Sequence, residues 1–404
     1  MITTEKSTSK YHIKKVLDKM SKLNKWQYDF IPKILILFMS IRGKINFLQL
    51  ERYSNSSEQH YRNQFEKEFD FLSFNKELFL EHGGVNRILA FDPSYVSKSG
   101  KSTPGVGYFW SGCAGTTKWG LEIGGIGAID LDNHTSFSLE AVQTPSKLDG
   151  CTLLEHYSKI LIDRKQELLQ ISKYLAVDAY FSKAPFVMDM CTEGFELICR
   201  LRNDADLRYL YGGERKGGRG RPQMYDGKIN YKEPSMIHLS VLEESSDSRI
   251  YYGIVNSKSL KRNINLVIVY TRKEDTWTHK LYFSTDLSLE PKKVLQYYHS
   301  RFQIEFTYRD GKQTTGLNDC QARSENKLNF HFNTALTAVN IAKVSHWLPI
   351  PKDERKAFSM TNIKTMYNNQ LMLERFLDKF DINPNSKKNK SRIRELTNYG
   401  IIAA

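Results

Sequence analysis

Cysteine is scarce and unpatterned. The five cysteines, Cys113, Cys151, Cys191, Cys199 and Cys320, form no CxxC pair, and no histidine stands at zinc-ligand spacing beside them. A disulfide framework and a structural zinc site are therefore not expected. Long apolar runs are missing too. The most apolar stretch, residues 31–41, is interrupted by Lys33, far short of the roughly 20 residues that span a bilayer. It reads as a buried helix, and no membrane partner is expected. No basic segment followed by an apolar stretch and a cleavage site opens the sequence, so the expected location is cytoplasmic and nucleoid-associated. Acid is also in deficit, with 45 Asp and Glu against 59 Lys and Arg, a net charge of +14. This excess points to a polyanionic partner. Nucleic acid is the commonest, because neutralised phosphates release condensed counterions; a merely soluble basic protein is the plainer alternative.

What is present divides into segments. The chain's 404 residues suggest two or three domains. Residues 11–80 show apolar positions at three- and four-residue spacing, a helical pattern. Within them, 46–53 and 58–69 read as two helices joined by a turn at 54–57, with Ser57 as N-cap. The second would bury Tyr61, Phe65 and Phe69 and expose Gln59, Arg62 and Asn63, residue types that reach base edges or phosphates in a major groove. An ordinary helical hairpin has the same spacing. After Gly83-Gly84 the pattern turns to strands at 87–92, 105–110 and 118–131. A helix at 153–172, a strand at 174–178, a helix at 182–191 and a strand at 195–202 follow, describing a mixed α/β sheet. Residues 204–287 hold alternating segments and a basic loop at 215–221. One long helix is expected from Pro291 to about 312, another over 327–347, and a basic helical end.

Two apolar strands each finish on an aspartate, Ile88-Leu89-Ala90-Phe91-Asp92 and Tyr174-Leu175-Ala176-Val177-Asp178. Functional groups gather at the carboxyl ends of strands in α/β sheets, so the two carboxylates can meet at one edge. Either alone also reads as an N-cap or turn residue. The third element is the segment running from Tyr298 through Arg301 and Glu305 to Lys312. At 100° per residue these four fall within an arc of about 60°. Leu295, Phe302 and Phe306 form a neighbouring stripe that could pack on the sheet.

This spacing, Y-x2-R-x3-E-x6-K, resembles the signature of DDE transposases of the IS4 type, the Tn5- and Tn10-like enzymes. The resemblance extends over about residues 87–347. It implies an α/β, RNase H-like (retroviral-integrase-like) catalytic core interrupted by a β-rich insertion. The expected divisions are a helical DNA-binding module (1–84), core (85–203), insertion (204–289), second core part with the Glu helix (290–348) and basic helical end (349–404).

The implied function is that of an insertion-sequence transposase. It would cleave transposon ends and transfer them into target DNA by a cut-and-paste route through a hairpin intermediate. Asp92, Asp178 and Glu305 would be catalytic and hold two Mg²⁺ or Mn²⁺ ions. Oxygen-only ligation suits those ions, and two of them activate the nucleophile and neutralise the leaving oxygen in phosphodiester displacement. The implied partners are double-stranded DNA, both terminal inverted repeats and target, and a second copy of the chain in a homodimeric synaptic complex. Tyr298, Arg301 and Lys312 inherit contacts to DNA phosphates near the cut; for Arg301, a surface pair with Glu305 is the plainer reading. Trp277 lies in the insertion region that supplies the Tn5 enzyme with a base-stacking ring, and also fits a strand packed in the insertion's core. Lys98, Lys101, Arg200 and Arg202 are expected DNA contacts without catalytic duty. An inactive, DNA-binding relative and an RNase H-like nuclease are the alternatives in other classes.

Overall fold

The computed structural model describes residues 5–214, 222–384 and 386–402. Five helices come first: α1 (Glu5–Leu17), α2 (Lys25–Ser40), α3 (Phe47–Arg52), α4 (Glu58–Gln64) and α5 (Phe71–His82). Four strands follow, β1 (Arg87–Ser97), β2 (Gly107–Ser111), β3 (Thr116–Asp130) and β4 (Thr135–Thr144). Then come α6 (Leu153–Ile162), α7 (Lys165–Leu168), β5 (Tyr174–Ala176), α8 (Ala184–Thr192) and β6 (Glu196–Leu201). Six more strands are β7 (Leu207–Leu210), β8 (Tyr225–Lys228), β9 (Ser240–Glu244), β10 (Ser248–Ser257), β11 (Arg262–Lys273) and β12 (Thr276–Ser284). The chain closes with α9 (Pro291–Ser300), α10 (Gln303–Gln313), α11 (Glu325–His346), α12 (Met360–Lys379) and α13 (Lys387–Thr397). The fold is thus mixed α/β with mostly antiparallel pairing. Among the described residues no helix is long and apolar enough to cross a membrane. The basic loop at 215–221 lies outside the described residues.

The contacts divide the chain into two compact units, and the division falls inside β1. One unit comprises residues 87–92 and 148–302, the other 1–86, 93–147 and 303–404. In the first, strands follow the order β1-β5-β6-β12-β11-β10-β7-β8, with β9 paired to β10. Among its described residues only β1, β5 and β6 run parallel, and the remaining pairs are antiparallel. Helix α6 is started by a capping box, Thr152 with Glu155, which satisfies two otherwise orphaned N–H groups.

In the second unit, an aromatic cluster ties α2 and the end of α4 to α11 through Phe30, the C-cap Phe65 and Phe330. Strand β4 pairs with β3, and its other edge is met by side chains of α11. Asn333 accepts from the Ala141 N–H at 2.8 Å and donates to its carbonyl at 2.9 Å. Asn340 does the same for Ser138, at 3.1 and 2.7 Å. The spacing works because seven helical residues rise about 10 Å, as do three residues of strand, and a bulge between Ser138 and Glu140 turns the backbone groups of Ser138 and Ala141 to the same edge. A sheet edge that would need a further strand is thereby closed by two amides.

Helix α4, expected over 58–69, ends sooner than its periodicity suggests, at Gln64. Phe65 and Phe69 are buried from the irregular segment that follows. The long helix expected from Pro291 is two helices, α9 and α10, because the N–H of Phe302 bonds to the carbonyl of His299, three residues back, and the ladder is interrupted there.

Candidate active site

In the unit containing Asp92, the parallel ladder pairs Leu89 with Leu175 and Ala90 with Ala176. Asp92 lies two residues beyond Ala90 on β1, and Asp178 two residues beyond Ala176, just past the end of β5; continuing the register would bring the two level, about 5 Å apart at the backbone. Side chains two residues apart point to the same side of a strand, so both carboxylates share one face. The row continues. Ala176 pairs with Ile198, which carries Asp178 level with Arg200, and Arg200 is the partner of Tyr282 on β12. Continued in this way, the row would set two carboxylates beside the observed pair of a guanidinium and a phenol.

Local structure holds each of these groups. Asp178 is extended, with ψ 175°, and its Oδ1 caps the short 3₁₀ turn Ala179–Phe181 by accepting from the Tyr180 N–H at 2.9 Å. Beneath it, the buried Cys199 thiol donates to the Asp178 carbonyl at 3.0 Å. Burial and the Asp178 charge push that thiol far above its ordinary pKa, so it is an inert packing group. Asp92 Oδ1 lies 3.3 Å from Arg301 Nη1 at the end of α9, both side chains mostly buried. Tyr298 sets its ring 4.9 Å from that of Tyr282, tilted at 58°. Burial raises its hydroxyl to about 12, so it remains a proton donor at neutral pH.

Glu305 stands in the first turn of α10, in the other unit. Here the stripe Leu295, Phe302, Phe306 is not what docks the segment, since Phe302 is 49% exposed. The buried face of α10 is Ile304, Thr307, Tyr308 and Gly311. Two glycines of β3 admit it. A Cβ on Gly125 would come within 1.8 Å of the Tyr308 hydroxyl, and one on Gly127 within 3.0 Å of Ile304 Cδ1. A buried polar network adds direction. Ser136 Oγ donates to the Gln303 carbonyl at 2.7 Å and meets Thr307 Oγ1 at 2.6 Å. Lys343 of α11 donates to the Ser136 carbonyl at 2.6 Å and to Thr307 Oγ1 at 3.2 Å. Burial lowers the Lys343 ammonium to about 8, while burial raises the neighbouring Asp310. Seven residues after Glu305, and so on the same helix face, Lys312 Nζ donates to Ser94 Oγ at 2.9 Å.

The other sequence candidates are scattered. Lys98 is half-buried and bonded to the carbonyls of Cys320 and Ala322, a tether for that loop. Lys101 is exposed. Arg200 donates to Asn203 at 3.3 Å, and its buried Nε has no hydrogen-bond partner. Arg202 is exposed and gripped by both oxygens of Asp204 at 3.0 Å. Gln59 is bonded to Asn63, while Arg62 is paired with Glu58 and lies over the Phe47 ring, so this short helix keeps its polar groups to itself. Trp277 is 36% exposed near the β11–β12 turn, with Arg249 4.7 Å over its ring. Lys343, Ser136 and Thr307 escaped the sequence reading. The polar positions 333, 340 and 343 among the buried residues of α11 are the signal that could have found Lys343.

The sequence profile of the Transposase DDE domain matches residues 128–341, more than half of the chain. The chain belongs to the DDE transposase family. The matched span contains Asp178, Trp277, Tyr298, Arg301, Glu305 and Lys312 but begins after Asp92, whose place in the site rests on the β1–β5 register. Among curated proteins, none matches the chain. DDE transposases act on DNA and generally use divalent metals. Among the described residues no three His, Cys, Asp or Glu side chains are gathered as a metal cluster. The donors nevertheless suit a hard cation, being carboxylate oxygens, and Asp92 already faces a positive charge in Arg301.

Proposed function

We propose that this transposase is of the IS4 type, cutting the ends of an insertion sequence and joining them to target DNA by a cut-and-paste route through a hairpin intermediate. The observation that supports the reading is the parallel pairing of Leu89 with Leu175 and Ala90 with Ala176, two residues short of Asp92 and Asp178, taken with Glu305 in the Y-x2-R-x3-E-x6-K spacing. The parts are an end-binding helical module (1–84), an RNase H-like core (85–203 and 290–348), the β-rich insertion (204–289) and a basic helical end (349–404). Two copies act together as a homodimer on paired ends, in the bacterial cytoplasm at the nucleoid.

Asp92, Asp178 and Glu305 would hold two Mg²⁺ or Mn²⁺ ions. Bound there, such ions supply an activated oxygen nucleophile and neutralise the departing 3′-oxygen. The chain's own groups orient and balance charge. Arg301 neutralises Asp92 before DNA arrives and can turn its fork of donors to a phosphate. Tyr298 offers its hydroxyl to a phosphate oxygen, and Lys312 a point charge. Trp277 stacks on a base displaced at the hairpin turn.

The deciding experiment incubates the purified chain with DNA carrying the inverted repeats that flank its coding sequence. Cleavage at the repeat ends that requires Mg²⁺ or Mn²⁺ is expected. Binding without cleavage in either ion would overturn the reading.

A further inference from the structure

A cavity of about 360 Å³ opens in the unit that carries Glu305, lined by residues 42–44, the end of α10 and the start of α12. Four of its lining side chains are cationic, Arg42, Lys44, Lys312 and Lys364, against one carboxylate, Asp319. Three of the cations are aimed by hydrogen bonds. Arg42 Nη2 donates to Thr365 Oγ1 at 2.8 Å, Lys312 Nζ to Ser94 Oγ at 2.9 Å, and Lys364 Nζ to the Thr314 carbonyl. The carboxylate is partly occupied elsewhere, since Asp319 Oδ2 accepts from the Ile45 N–H at 2.8 Å. Gly43, at φ +83°, turns the chain between Arg42 and Lys44. The first turn of α12, a helix of 20 residues, adds the positive end of a long dipole.

A concave site with surplus positive charge and bonded cations is built for phosphate oxygens. Its volume falls within the range of ligand pockets and exceeds what a bare ion needs. Burial holds the Lys364 ammonium down to about 8, and an incoming anion would stabilise its charged form. Lys312 fixes the location relative to the chemistry. It lies seven residues beyond Glu305 on α10, about 10 Å of helix rise, or roughly three nucleotides at ~3.4 Å each along one strand.

We propose that this pocket, formed by Arg42, Lys44, Lys312 and Lys364, receives backbone phosphates of DNA a few nucleotides from the bond being cut. The inference rests on the reading of Lys312 as a phosphate contact and extends it to three residues that the signature does not contain.

The test measures binding of a mixed-sequence duplex by the full chain in EDTA across a salt series. The probes are wild type, Arg42→Gln/Lys44→Gln, and Arg42→Lys. Arg42 and Lys44 are exposed, so the double variant should melt as wild type does. The expected result is a salt slope flattened by about two in the double variant and unchanged in Arg42→Lys. Parallel slopes for wild type and the double variant would overturn the proposal. So would a pocket that takes free anion only, seen as thermal stabilisation of wild type by inorganic phosphate, lost in the double variant, with the duplex slope unchanged. Cleavage of repeat-end DNA in Mg²⁺ is measured in parallel. Wild-type cleavage with parallel slopes sinks the pocket alone, whereas no cleavage by wild type sinks the transposase reading.

Discussion

Arg301 places its Nη1 3.3 Å from Oδ1 of Asp92, and both side chains are mostly buried. The catalytic aspartate of the proposed site is therefore charge-balanced by a residue of the signature itself. A guanidinium in this place competes with a metal ion for the same oxygen. Arg301→Met should accordingly bind Mg²⁺ more tightly than wild type by calorimetry, while cleaving DNA less well. Weaker or unchanged Mg²⁺ binding in that variant would separate Arg301 from the metal site.

Gly125 makes room for α10. Alanine there would bring a Cβ to 1.8 Å from the Tyr308 hydroxyl, an overpacking that should cost about 1–3 kcal/mol. Chemical denaturation of Gly125→Ala tests this. Adding Tyr308→Phe removes the clashing oxygen and should recover part of the loss. A double variant no better than the single would mean that α10 is held by other contacts.

The third expectation concerns pH. Burial lowers the Lys343 ammonium to about 8, against 10.5 for an ordinary lysine. Between those values the unfolded chain holds a proton that the folded chain has released. Stability from this residue therefore rises with pH in that window, by at most about 3 kcal/mol. Lys343→Met abolishes the titration. Wild type should gain on the variant as pH is raised from about 7 to about 10, read as the difference between paired denaturation curves. A difference that stays flat would show that Lys343 is not penalised for its charge.

Much of this architecture was legible in the sequence because it follows from short-range chemistry. The two strands beside the aspartates were readable as apolar runs too short for helices, but neither ends on its aspartate: β1 runs on to Ser97, past Asp92, and β5 stops at Ala176, short of Asp178. Ser57 caps its helix as its residue type suggests. The break between α9 and α10 was not readable, since neither Pro nor Gly stands at 301–302 and the change is a single three-residue hydrogen bond. That hidden break misdirected the apolar stripe. Burial falls on Ile304 and Tyr308 because two glycines 180 residues upstream leave space for them, a long-range complementarity that no local period encodes. The closing of β4 by Asn333 and Asn340 is equally non-local.

Trp277 is not a core residue: it is 36% exposed, with one ring face under the Arg249 guanidinium at 4.7 Å. A ring held this way is available for stacking on an unpaired base, worth roughly 1–3 kcal/mol. Trp277→Ala should still nick the first strand but accumulate little hairpin product on denaturing gels. Hairpins at wild-type rates would remove Trp277 from the mechanism.

The most direct measurement compares Asp92→Asn, Asp178→Asn and Glu305→Gln with wild type for end binding and for cleavage in Mg²⁺. Each substitution keeps shape and removes one anionic metal ligand. Cleavage should fall by about three orders of magnitude or more in all three, while binding, which draws on phosphate contacts elsewhere, stays near wild type. Near-normal cleavage by any one of the three would contradict the assignment of these carboxylates as the catalytic triad.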